Sequence, residues 1–136
     1  MEISNFRHGV GQNAFHFVWK CKYAMDPFKF EKLRILCEEV LRDIVSQYGF
    51  EIYELNIQPD YIHLFVEIPY AMSVSKALQL FKGISAYRIL KQHTCLRRYF
   101  RKGRFWSPGK FFRSVGNVTS ETIQHYISQS QGSWQF

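Results

Sequence analysis

Apolar positions along the 136-residue chain change period several times, and each change marks an element. Across residues 13–20 they alternate, with Phe15, Phe17 and Trp19 on one side and Ala14, His16 and Val18 on the other, which predicts a strand. Across residues 29–48 the spacing becomes helical: Phe30, Leu33, Cys37, Val40, Ile44 and Tyr48 share a stripe, and Gly49 is a natural C-terminal stop. Residues 51–58 and 62–68 read as two strands joined through Pro59 and Asp60, a hairpin. Ser73 caps a second helix whose inner side carries Val74, Ala77, Leu78, Phe81 and Ile84. Periodicity is lost over residues 93–110, which predicts a long exposed segment. A short strand follows at 111–115, and Thr119 or Ser120 starts a last helix with Glu121 in its first turn.

The order is β-α-β-β-α-β with an extra C-terminal helix. It predicts an α+β fold, the ferredoxin-like split βαβ antiparallel sheet with both helices on one face. In that arrangement the first and third strands lie side by side in the middle. With no repeat or linker in sight, residues 1–136 are expected to form a single domain. On the third strand Ile62, Leu64, Val66 and Ile68 would face the helices. Tyr61, His63, Phe65 and Glu67 would lie on the open face, where His16 could also emerge, and such a polar and aromatic face is a place to bind a ligand.

Composition narrows the partner. A hydrophobic share of 46%, with 18% aromatic, excludes a disordered tail. Net charge is +7, and residues 68–120 hold eleven lysines and arginines without one aspartate or glutamate. The densest part is Arg97, Arg98, Arg101, Lys102 and Arg104, with Lys82 and Arg88 before it and Lys110 and Arg113 after it. Tyr99, Phe100, Phe105 and Trp106 are interleaved, some of them for stacking on bases and some for the core. Cations for phosphates beside rings for unstacked bases suit single-stranded nucleic acid; the competing reading is a basic face without a specific ligand. The three cysteines, Cys21, Cys37 and Cys95, lack metal-type spacing and suit reduced thiols. No apolar run approaches a membrane span and residues 1–11 lack a signal-peptide core, so a cytoplasmic protein with no membrane partner is expected.

Two side chains stand out for chemistry. His63 sits on a strand beside Glu67 and just after a Pro-Asp turn; it is either a hydrogen-bonded structural histidine or a metal or phosphate ligand. Tyr126 shares a helix side with Thr122, Gln129 and Ser130. It is either a half-buried aromatic or a nucleophile whose phenolate attacks a phosphodiester.

Several segments in order carry a family likeness. They are GVGQNAFHFVWKCKY at 9–23, QPDYIHLFV at 58–66, KGISA at 82–86, FWSPGKFF at 105–112, SVGNVT at 114–119 and ETIQHYI at 121–127. Together they resemble the single-tyrosine HUH transposases of the smallest, IS200-type, insertion sequences. The resemblance implies a homodimer that binds hairpins at the ends of single-stranded transposon DNA. It also implies a tyrosine that cuts the strand to leave a 5′-phosphotyrosine and a free 3′-hydroxyl. A divalent ion, Mg²⁺ or Mn²⁺, held by a His-hydrophobic-His pair on the central strand, polarises the scissile phosphate. Carried over by position, Tyr126 is the nucleophile and His63 the second histidine of the pair.

The chain departs from that pattern twice. Tyr61 stands where the family has its first histidine, and Ser130 stands where it places a glutamine, so that Gln129 becomes the stand-in. Asp60 could supply a carboxylate if its side chain turned toward His63, and His16 is a further neighbour from the adjacent strand. The departures leave two functional expectations: a metal-assisted nickase-ligase, or an impaired relic that binds DNA hairpins without cutting. An RNA-binding domain of RRM type shares the element order, but the strand IHLFVE at 62–67 lacks the Gly-aromatic pattern of such domains.

Overall fold

The computed structural model describes residues 13–116. Its elements are β1 (Ala14–Cys21), α1 (Glu31–Tyr48), β2 (Glu51–Gln58), β3 (Tyr61–Glu67), α2 (Val74–Gln92) and β4 (Trp106–Gly116). The four strands form one sheet in the order β2-β3-β1-β4, with every neighbouring pair antiparallel, so β1 and β3 occupy the centre as expected. The fold is the α+β ferredoxin-like split βαβ. The expected C-terminal helix lies outside the described residues.

Both helices end for local reasons. Gly49 closes α1 in the left-handed region (φ 80°) with its N–H on the Val45 carbonyl, a conformation that costs a side-chain-bearing residue far more than glycine. Ser73 Oγ accepts from the Lys76 N–H at 3.0 Å and satisfies one of the free donors at the start of α2. Between helices and sheet lies one continuous core that includes Phe17, Trp19, Leu41, Ile44, Ile62, Leu64 and Phe81.

β2 carries a bulge. Ile52 pairs with Val66, but Glu54 pairs with Phe65, so Tyr53 is the extra residue. The bulge resets the alternation: Ile52, Leu55 and Ile57 all pack against the main core, while Asn56 and Gln58 come level with His63 and Tyr61.

The structure corrects two expectations here. The segment over 93–110 is not a long exposed loop: it folds into 3-10 turns at Thr94–Arg98 and Arg101–Gly103, and β4 starts at Trp106, five residues earlier than the pattern predicts. The reason is the interior it covers, where Phe100, Phe105 and Trp106 are buried among Phe28, Trp19 and one another. The second correction concerns the open face. His16, His63 and Phe65 are fully buried and Glu67 nearly so. Ala14 and Phe65 form a second small cluster with Tyr53 and Val115, so the middle of this side is packed, while Asn56, Gln58 and Tyr61 are half-buried and Lys20 is exposed.

Candidate active site and cationic face

Strand register builds the centre of the site. Val18 pairs directly with His63, and His16 with Phe65, so the two histidines are diagonal neighbours on one face of β1 and β3. Side chains as long as imidazole reach each other at that spacing. Their ring centroids lie 4.1 Å apart at an interplanar angle of 61°, with the two Nε2 atoms facing each other. Phe65 sets its edge against the His16 ring at 6.4 Å.

Burial keeps His63 neutral. Burial disfavours the imidazolium and lowers the His63 pKa to about 4, so at neutral pH its ring carries a lone pair for a proton or a cation. Glu67, four residues beyond His63 on the same face of β3, accepts the Tyr53 hydroxyl at 2.5 Å. That hydroxyl is held protonated far above its ordinary range, first by burial and then by the Glu67 carboxylate. Tyr61 is also pushed upward, by burial and then by Asp60, and remains a neutral phenol.

The structure brings together only some of the residues singled out in the sequence. His63 and His16 meet. Asp60 lies in the β2–β3 turn, where its carbonyl accepts the Cys21 N–H at 2.9 Å, and its charge helps to raise the Cys21 thiol. Among the described residues no group of three or more His, Cys, Asp or Glu side chains gathers as a metal cluster. Tyr126 and Gln129 lie outside the described residues. His16, on the same strand side as Ala14 and Val18, meets His63 as expected of a neighbour from the adjacent strand.

The cationic residues divide by what they touch. Arg97, Arg98, Arg101, Lys102 and Arg104 are exposed on the two 3-10 turns and the link into β4. Arg98 lies over the exposed Tyr99 ring at 5.9 Å. Arg97 Nε donates to the Leu90 carbonyl at 3.4 Å. Arg88 is spent in part on Asp43, donating to its Oδ2 at 2.8 Å and linking α2 to α1. Lys82 Nζ donates to the Ser107 carbonyl at 2.9 Å. Lys110 and Arg113 lie in β4, where the backbone register pairs them with Trp19 and His16.

A surface cleft of about 370 Å³ opens in this region, with Lys22, Lys82, Gly83, Arg104, Trp106 and Pro108 in its walls. A side chain at Gly83 would meet nothing within 4 Å, so helix packing does not account for that glycine. Its open backbone is instead part of the cleft. Of the four rings in the basic segment considered for stacking on bases, only Tyr99 is exposed.

The chain is an α+β protein of the ferredoxin-like class in which two buried histidines meet on the central strands and an acid-free run of cations precedes and enters β4. Residues 10–130 match the family model of IS200-like transposases, and the chain belongs to that family. It is 28% identical to the ISDra2 transposase TnpA of Deinococcus radiodurans over 127 residues, covering 93% of this chain and 90% of the relative. It is 34% identical to the transposase for insertion sequence element IS200 of Salmonella typhimurium over 113 residues, covering 83% of this chain and 73% of that protein. Among solved structures, a candidate transposase from Deinococcus radiodurans superposes with a TM-score of 0.67 at 29% identity, covering 86% of this chain and 89% of the other. A REP-associated tyrosine transposase bound to a REP hairpin shares the fold, with a TM-score of 0.60 at 13% identity over 92% of this chain and 68% of that one. Among the described residues no helix is long and apolar enough to cross a membrane.

Proposed function

We propose that this transposase cleaves and rejoins single-stranded DNA at hairpin-bearing transposon ends through a 5′-phosphotyrosine on Tyr126. The observation that carries the reading is the buried, neutral His63 at the centre of the sheet in a chain of this family. In the cleavage step the Tyr126 phenolate oxygen attacks phosphorus, the P–O3′ bond breaks, and the departing oxygen takes a proton to become a 3′-hydroxyl. In the rejoining step a 3′-hydroxyl attacks the same phosphorus and returns the phenol. The exposed cations from Arg97 to Arg104, with Lys82, Arg88, Lys110 and Arg113, hold the phosphate backbone. The reading includes a homodimer and a single domain over residues 1–136.

The donor chemistry fits a divalent ion at His63, because a neutral imidazole in a dry setting offers an unprotonated nitrogen. When bound, such an ion withdraws charge from the scissile phosphate. Gln129 and Asp60 are the further candidates to hold it. The protein's own part is to keep His63 deprotonated, to exclude water around it and to present the strand on the cationic face.

One observation favours the second reading, a hairpin-binding relic: Tyr61 occupies the family's first histidine position as a neutral phenol, a weak donor to a hard cation. A denaturing gel separates the two. A hairpin-bearing oligonucleotide incubated with the protein and Mg²⁺ or Mn²⁺ is expected to give a covalent adduct that EDTA and Tyr126→Phe abolish. Tight binding without an adduct under either ion leaves the relic.

A further inference from the structure

We infer that the hollow walled by Phe30 and Tyr99 is a stacking site for an unpaired base of single-stranded DNA, with Lys29 and Arg98 placed for the phosphates beside it. The inference rests on the proposed DNA reading and deepens it, since it says where unpaired bases are held.

Phe30 heads an apolar helical stripe in the sequence, yet it stands at the N-cap of α1 with 59% of its surface exposed. Tyr99 follows the 3-10 turn Thr94–Arg98 and is 49% exposed. Both rings line one hollow of about 330 Å³, together with Met25, Pro27, Leu96 and Phe100. A second hollow of about 450 Å³ adjoins it and shares Pro27, Phe30 and Leu96. Concave apolar sites of this order of size take small ligands, and exposed rings around them mark a surface that binds something.

Charge decides the occupant. Lys29 Nζ lies over the Phe30 ring at 5.5 Å and the Arg98 guanidinium over the Tyr99 ring at 5.9 Å, so each exposed ring comes with its own cation. The two carboxylates at the rim are engaged in exposed surface pairs, Asp26 with Lys29 at 3.8 Å and Glu31 with Arg34 at 3.7 Å, and such pairs compete weakly with a phosphate. An apolar peptide would use the rings alone, whereas a single strand uses both rings and cations.

The hollow is also continuous with the cationic cleft beside Lys82. Two short segments join them: Lys22 walls the cleft and Met25 the hollow, while Phe100 walls the hollow and Gly103 and Arg104 the cleft. The exposed Arg101 and Lys102 lie between on the second segment. On the first, Tyr23 (φ 61°) and Ala24 (φ 54°) take a left-handed backbone that side-chain-bearing residues seldom adopt. The fold holds that loop through the Lys22 N–H on the Phe105 carbonyl at 2.8 Å and the Met25 N–H on the Lys22 carbonyl at 3.2 Å. A strand that follows these cations passes from the cleft into the hollow.

The test compares three oligonucleotides by fluorescence anisotropy with the full-length protein: a hairpin with an unpaired arm, the same hairpin with an abasic arm, and the blunt hairpin. Wild type is expected to bind the armed hairpin about 10-fold more tightly than its abasic counterpart, the scale of one stacked base. Phe30→Ala and Tyr99→Ala should each remove most of that difference and leave abasic-arm binding unchanged, while Phe30→Tyr and Tyr99→Phe keep it. A 5-iodouracil placed in the arm should photocrosslink wild type at Phe30 or Tyr99, a readout independent of how any variant folds. Equal binding of armed and abasic hairpins, equal weakening of both by the alanine variants, or crosslinks only elsewhere would overturn the inference. So would alanine variants that change self-association and leave the arm preference intact, which would make the hollow a contact between copies. Hairpin binding without an arm preference rejects this site alone, whereas failure to bind any of the three rejects the DNA reading with it.

Discussion

The indole Nε1 of Trp106 donates to Ser85 Oγ at 2.9 Å inside the core, and Ser85 Oγ in turn donates to the Phe81 carbonyl one turn back on α2. This chain of two hydrogen bonds anchors the start of β4 to the helix beneath it. It explains how a segment dense in arginine still folds back onto the sheet. Removing Ser85 Oγ would leave a buried indole N–H without its acceptor, which costs about 1–3 kcal/mol. Ser85→Ala is therefore expected to lower unfolding free energy by about 2 kcal/mol and Trp106→Ala by about 3–5 kcal/mol in urea denaturation. A neutral Trp106→Ala would show that β4 starts elsewhere in solution.

Much of this fold is legible in the chain because alternation and helical spacing are strong where one face is buried. Gly49 and Ser73 mark helix ends by backbone conformation and capping, each a local effect. Less legible is the role of Phe100, Phe105 and Trp106, whose neighbours in sequence are cations. Only the tertiary contact with Phe28, Trp19 and Ser85 decides that these rings are core. The β2 bulge is visible in hindsight as the step from Ile52 to Leu55 before Ile57. His63 is flagged by its strand and turn, but the meeting of its ring with His16 depends on a cross-strand register that no single segment encodes.

The three cysteines should differ sharply in reactivity. Cys21 and Cys37 are buried and their thiols are raised well above the ordinary range, chiefly by desolvation, while Cys95 is exposed. Native protein at pH 8 is expected to take up one equivalent of iodoacetamide rapidly, and Cys95→Ser to take up almost none. Two or three fast equivalents would contradict the packing around β1 and α1.

Acid should destabilise the metal-free protein in a defined window. The unfolded chain takes up a proton on His63 near its ordinary value of 6.5, whereas in the fold this happens only at about 4. Stability is thus full above pH 6.5, falls as pH drops from there to about 4, and levels off for this group below that. The total is up to about 3 kcal/mol. Denaturant melts in EDTA across this range should show the slope, and His63→Gln should flatten it.

Salt dependence should separate working cations from structural ones. Each lost phosphate contact lowers the slope of log K against log salt by about 0.7 for single strands. A triple change of Arg101, Lys102 and Arg104 to Ala is expected to reduce the slope by about 2 in fluorescence anisotropy with a hairpin oligonucleotide. Arg88→Ala should change it by clearly less than the about 0.7 of one full contact, since that guanidinium is shared with Asp43.

The most direct test of the central claim is to identify the atom that holds the DNA. Protein incubated with a hairpin-bearing single strand and Mn²⁺, with Mg²⁺ in parallel, is digested with nuclease and protease and the modified peptide sequenced by mass spectrometry. The account predicts a 5′-linked nucleotide on the peptide containing Tyr126 and none in His63→Ala protein. A nucleotide on any other residue, or hairpin binding with no modified peptide under either ion, would contradict it.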